Sequence, residues 1–139
     1  MKYDTVYIVD DSSLYCLAHT QLFKKIDTDV EIKKFSDPLR ALTSLRRDLL
    51  NNKKIFLVLD IEMPEMTGIE MVTYIAKADY LKQGHLNVLF VSSAIKNYLH
   101  ETVMEHLFVS GKLEKPLTLS KLNAYIKEQF GSISLEIVA

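Results

Sequence analysis

An α/β fold, with one parallel β-sheet and helices on both of its faces, is what the amino-acid sequence predicts. Short apolar runs alternate five times with longer segments of helical pattern, and right-handed crossovers leave few other arrangements for that order. Two of the runs, Ile55 to Leu59 and Val88 to Val91, are apolar without interruption, as expected of central strands covered on both faces. Helix signals fall between the runs: Asp37-Pro38 reads as an N-cap and first-turn proline, and Gly131 as a closing residue.

In chain order, Val6 to Val9 is the first strand and Ser12 to about Lys25 the first helix. On that helix Tyr15, Ala18, Leu22 and Ile26 make one stripe with Leu14 and Leu17 beside it, and periodicity alone does not choose which faces the sheet. Val30 to Phe35 alternates apolar and polar residues as a strand, and a helix follows from Pro38 to about Leu50. The run Ile55 to Leu59 leads through the loop Glu62 to Gly68 into a helix from about Ile69 to Ala78. Val88 to Val91 precedes a helix from about Ile95 to His106, and Gly111 to Glu114 is a short fifth strand ahead of Pro116 and a last helix, Leu119 to Phe130.

The 139 residues, 16.0 kDa, fit one domain, so a fused output domain is not expected. A hydrophobic share of 48% and a charged share of 25% support a packed core and argue against disorder. With a formal net charge of −1, nothing electrostatic recruits nucleic acid or an anionic membrane. Cys16 is the only cysteine, which excludes an intramolecular disulfide. His19, His85, His100 and His106 share no zinc-site spacing. No apolar run approaches the roughly 18 residues of a membrane span, and no signal peptide is recognisable, so a cytoplasmic location is expected.

In open parallel sheets, ligands bind beyond the carboxyl ends of the strands, and the residues predicted there are polar. Asp10 and Asp11 end the first strand, Asp60 the third, Ser92 and Ser93 the fourth, and Lys115 the fifth. Three carboxylates in one place repel one another unless a cation or protons neutralise them, and a hard divalent cation such as Mg²⁺ suits an open acidic cluster. With a lysine and a hydroxyl opposite, the set has the parts for phosphoryl transfer to a carboxylate, giving an aspartyl phosphate.

The strings Val9-Asp10-Asp11-Ser12, Leu59-Asp60-Ile61-Glu62-Met63-Pro64-Glu65-Met66-Thr67-Gly68, Val91-Ser92-Ser93-Ala94 and Lys115-Pro116 resemble those of two-component response-regulator receiver domains, over roughly residues 4 to 130. The resemblance implies a flavodoxin-like, doubly wound sheet of five parallel strands in the order 2-1-3-4-5. It implies that Asp60 is the phosphoacceptor, that Asp10, Asp11 and Asp60 hold Mg²⁺ with the Glu62 backbone carbonyl, that Ser92 is the switch hydroxyl, and that Lys115 binds the phosphoryl oxygens. It also implies a cis peptide between Lys115 and Pro116. Family members take the phosphoryl group from a sensor histidine kinase or a histidine phosphotransfer protein, and here the output is expected to be binding to another protein, not yet named by the sequence. A second copy of the chain is a further candidate partner.

Alignment to the family turns Tyr15, Ala18 and Leu22 inward and leaves Leu14 and Leu17 exposed beside the acidic pocket, where receivers dock their phosphodonor. Many receivers have Tyr or Phe three residues before the lysine; here that residue is Lys112, expected to stay in solvent because burying an ammonium is costly. The switch is then expected to run through Ser92 and the loop Ser93 to Lys96 to the helix containing Tyr98 and Leu99. Two other families share part of this pattern. A phosphatase of the haloacid dehalogenase type also forms an aspartyl phosphate, but wants a second aspartate where this chain has Glu62. A receiver-like interaction module that is never phosphorylated would need a broken acidic pocket. Residues 1–130 are thus expected to form the receiver and 131–139 an extension, where Ile133, Leu135 and Ile137 alternate with Ser132, Ser134 and Glu136 as in an added strand or apolar arm.

Overall fold

The computed structural model describes residues 3–93 and 104–130. Its elements are β1 (Thr5–Val9), α1 (Ser13–Ile26), β2 (Glu31–Phe35), α2 (Pro38–Leu50), β3 (Ile55–Asp60), α3 (Gly68–Ala76), β4 (Leu86–Ser92), β5 (Val109–Glu114) and α4 (Leu119–Phe130). The five strands are all parallel and lie in the order β2-β1-β3-β4-β5, the flavodoxin-like arrangement. The predicted helix from Ile95 to His106 and the extension 131–139 lie mostly or wholly outside the described residues.

Alternation along each strand builds two cores, one on each face. On one face Tyr7, Val9, Leu57, Leu59, Val88 and Phe90 pack with Leu45 and Leu49 of α2 and Met71 and Ile75 of α3. On the other, Val6, Ile8, Phe56, Val58, Leu89 and Val91 pack with Phe23 of α1 and Leu122 and Ile126 of α4. Every side chain of β1 and β3 is buried, which is why those strands read as unbroken apolar runs. The helices begin where the sequence marks them. Ser12 accepts the Tyr15 N–H, Asp37 accepts the Leu39 N–H ahead of Pro38, and Thr67 and Glu70 close a reciprocal capping box on α3.

The strands are longer than their apolar runs. β4 starts at Leu86 and includes Asn87 and Ser92, and β5 starts at Val109 and includes Ser110, because ladder bonds use the backbone and tolerate polar side chains. The larger correction concerns α1. Its buried residues are Cys16, His19, Thr20, Leu22 and Phe23, whereas Ala18 is exposed and Tyr15 half-buried. At 100° per residue, Ala18 shares the outer face with Leu14 and Leu17, and the inner stripe is completed by polar residues that a hydrophobic pattern overlooks. Thr20 solves its own burial by donating to the Cys16 carbonyl at 2.6 Å.

Between β1, β2 and α2 sits a polar network inside the first core. The Tyr7 hydroxyl donates to Asp48 Oδ2 at 2.5 Å and lies 2.7 Å from Ser44 Oγ, and Lys33 Nζ meets the same Asp48 oxygen at 2.7 Å. Burial opposes the charge on Asp48, but the bonds from Lys33 and Tyr7 outweigh it and hold the carboxyl below its ordinary pKa. A depressed folded-state pKa stabilises the fold above the ordinary carboxyl pKa, and this contribution is lost as pH falls through the folded value. Asp48→Asn is therefore expected to cost about 1–3 kcal/mol at pH 7, with the deficit shrinking below about pH 4. Urea unfolding at both pH values measures it; an equal deficit at both would show that the carboxylate charge is not what matters.

Candidate functional site

The parallel register brings the strand ends together. Val9 pairs with Leu59, Leu59 with Phe90, and Ser92 with Glu114. Asp10, Asp60, Ser92 and Lys115, each at or one past the end of its strand, therefore gather at the carboxyl edge, and all four are buried, while Asp11 is exposed. Backbone bonds hold each in place. The Asp10 N–H donates to the Phe35 carbonyl at 3.0 Å, and the Lys115 N–H to the Ser92 carbonyl at 2.7 Å. Asp10 Oδ1 accepts the Ser12 N–H at 2.9 Å, and Asp60 Oδ1 accepts the Glu62 N–H at 3.3 Å. The Lys115-Pro116 peptide is cis.

Gly68 is required by a close approach. Its N–H donates to the Ile61 carbonyl at 2.8 Å, folding the loop back over the end of β3. A Cβ there would stand 2.4 Å from the Asp60 carbonyl oxygen, so any side chain would push the backbone of Asp60 out of place.

Lys115 Nζ lies 2.6 Å from Asp10 Oδ2 and 3.1 Å from Asp60 Oδ1. The same ammonium sits 4.3 Å from the centroid of the Tyr15 ring, within cation–π range. Burial works against charge on Lys115, yet its bonds to Asp10 and Asp60 prevail and keep its pKa above the ordinary value. Asp60 behaves in the opposite way. Burial, reinforced by the charge of Asp10, pushes its carboxyl up to about 7 in spite of Lys115. Burial lowers the pKa of His19, whose ring packs against Tyr15 with centroids 5.7 Å apart. Cys16 is buried beneath the site with its thiol pushed up to about 11, chiefly by burial, which leaves it an inert packing residue.

Asp10, Asp11 and Asp60 each offer a carboxylate oxygen, all within 4.8 Å of one another. An all-oxygen donor set with two buried acids and one open to solvent fits a hard divalent cation that keeps some of its waters. Of the residues singled out in the sequence, Asp10, Asp11, Asp60, Ser92 and Lys115 meet here, and Glu62 joins through its backbone while its side chain is exposed. Ser93 is exposed, Lys112 lies exposed on β5, and Leu14 and Leu17 are 74% and 48% exposed on α1. The sequence reading missed Tyr15 as part of the site, because nothing local links it to a lysine a hundred positions away.

An Asp60 carboxyl whose pKa is raised by the fold destabilises the folded state once it ionises: stability is greatest while it is protonated, falls as pH rises from about 4 to about 7, and is level above that. Asp60→Asn is accordingly expected to be more stable than wild type at pH 8 without divalent metal, by on the order of 2–4 kcal/mol, and no more stable near pH 4. Mg²⁺ is expected to raise the Tm of wild type at pH 8 more than that of the variant. Thermal melts at the two pH values, with and without Mg²⁺, measure both effects; a variant less stable than wild type at pH 8 would contradict the charge balance described.

Comparison with known proteins agrees with the fold. The chain can be superposed on a two-component response regulator from Cytophaga hutchinsonii with a TM-score of 0.80 at 20% identity, covering 95% of this chain and 100% of that one. For the chemotaxis protein CheY4 of Vibrio cholerae the TM-score is 0.70 at 19% identity, covering 92% and 99%. For the response regulator StyR it is 0.72 at 22% identity, and the match covers 91% of this chain but 59% of the StyR chain. None of the curated proteins is significantly similar in sequence. The family model of the response regulator receiver domain matches residues 6–127, and the chain belongs to that family.

Proposed function

We propose that this receiver accepts a phosphoryl group on Asp60 from a sensor histidine kinase or a histidine phosphotransfer protein, in a Mg²⁺-dependent reaction, and signals by binding a protein partner in its phosphorylated form. The observation that carries this reading is the single buried ammonium of Lys115 bridging Asp60 and Asp10, beside an oxygen donor set for a metal. An Asp60 carboxylate oxygen attacks phosphorus as the bond from phosphorus to the donor breaks, the electron pair leaving with the donor. Mg²⁺ held by Asp10, Asp11, Asp60 and the Glu62 backbone carbonyl would supply neutralisation of the phosphate and carboxylate charge. Lys115 offers its ammonium to the phosphoryl oxygens, and Ser92, buried at the end of β4, supplies the hydroxyl that moves to the modified group. Among the described residues no helix is long and apolar enough to cross a membrane.

The division at residue 130 belongs to the same proposal: 131–139 is an extension that would act as an added strand or apolar arm against its own domain, a second copy or a partner. An apolar groove lined by Tyr3, Leu86, Leu107, Phe108 and Val109 opens beside Gln129, at the end of α4, and Leu107 is 90% exposed there. Burying Ile133, Leu135 and Ile137 would cover that surface.

With acetyl phosphate and Mg²⁺, intact mass is expected to show one phosphoryl group on the wild type, none on Asp60→Asn, and none after chelation of the metal. Modification of Asp60→Asn to the wild-type extent would overturn the assignment. Deleting residues 132–139 is expected to lower the Tm by several degrees without changing the monomer mass in solution. An unchanged Tm would refute the arm, and a concentration-dependent loss of dimer would assign it to a second copy.

A further inference from the structure

We propose that Tyr15 is a positioning residue for phosphoryl transfer, its ring holding the Lys115 ammonium between Asp10 and Asp60; this deepens, and rests on, the phosphoacceptor reading. A lysine ammonium has three N–H donors on a flexible stem. Here it forms ion pairs with Asp10 Oδ2 at 2.6 Å and Asp60 Oδ1 at 3.1 Å. The Tyr15 ring, 4.3 Å away, covers a further side of the ammonium with its electron-rich face, and Lys115 is left only 4% exposed along its side chain.

Tyr15 is itself braced. It stands one turn above His19, which is 1% exposed and packs on the same ring at 5.7 Å with an interplanar angle of 35°. Burial lowers the pKa of His19 and so disfavours a second cation against the ring. Without the ring, that side of the ammonium opens to water, and the flexible stem has rotamers that leave the acids. The lysine would then have to be recaptured each time a phosphoryl group arrives, which slows transfer without removing any group that touches phosphate.

The test compares wild type, Tyr15→Phe, Tyr15→Leu and Tyr15→Met, each checked for cooperative unfolding. Two quantities are read: the rate of Asp60 modification by acetyl phosphate with Mg²⁺, and the ¹⁵N ammonium signal of Lys115 in metal-free protein, visible only when shielded from solvent exchange. Phe keeps the ring, so it is expected to keep the signal and a rate within about twofold of wild type. Leu and Met fill the volume without a ring, and are expected to lose the signal and slow modification roughly fivefold. Undiminished rate and signal in Leu and Met, or equal losses in Phe, would overturn the role of the ring. A shielded signal in wild type with no modification of Asp60 would instead sink the phosphoacceptor reading, and this inference with it.

Discussion

One ammonium between two buried carboxylates is the constraint on which the carboxyl edge of the sheet depends. Asp10 and Asp60 stand on neighbouring strands, β1 and β3, and each is all but closed to solvent. Two unpaired acids so placed would cost several kcal/mol, and Lys115 from the opposite edge strand is what makes the arrangement tolerable. The lysine cannot satisfy both fully. Its charge is shared, and the desolvation of Asp60 together with the charge of Asp10 keeps the Asp60 carboxyl above its ordinary pKa.

The rest of the domain can be understood as the frame for that shared charge. Strand register sets the spacing of the four strand-end residues, the Gly68 approach fixes the backbone of Asp60, and the bond from Lys115 N–H to the Ser92 carbonyl ties the end of β5 to β4.

A second buried acid shows how differently the same residue type can be used. Asp48 has Lys33, the Tyr7 hydroxyl and a more distant Lys53, and it is held below the ordinary carboxyl pKa. Asp60 has half a lysine and an acid for a neighbour, and it is pushed above it. The first is a satisfied structural charge that fastens α2 to the sheet. The second has the Lys115 ammonium and the Glu62 N–H as partners, yet burial and the charge of Asp10 outweigh them.

The strands, most helix starts and every acid, hydroxyl and lysine of the site were legible in the sequence, because apolar runs, caps and strand-end residues are local signals that survive in one dimension. The sequence could also place Lys112 in solvent, since an ammonium beside no acid has nowhere else to go. What it could not settle was orientation. A stripe of Tyr15, Ala18 and Leu22 is as periodic as Cys16, His19 and Phe23, and only docking on the sheet decided that the second faces inward, with Thr20 and His19 accepted there. That rotation is also what carries Tyr15 to the rim of the site and its ring to Lys115. Long-range contacts of this kind depend on how an element is turned about its own axis, which side-chain periodicity leaves free and the packing of two surfaces determines.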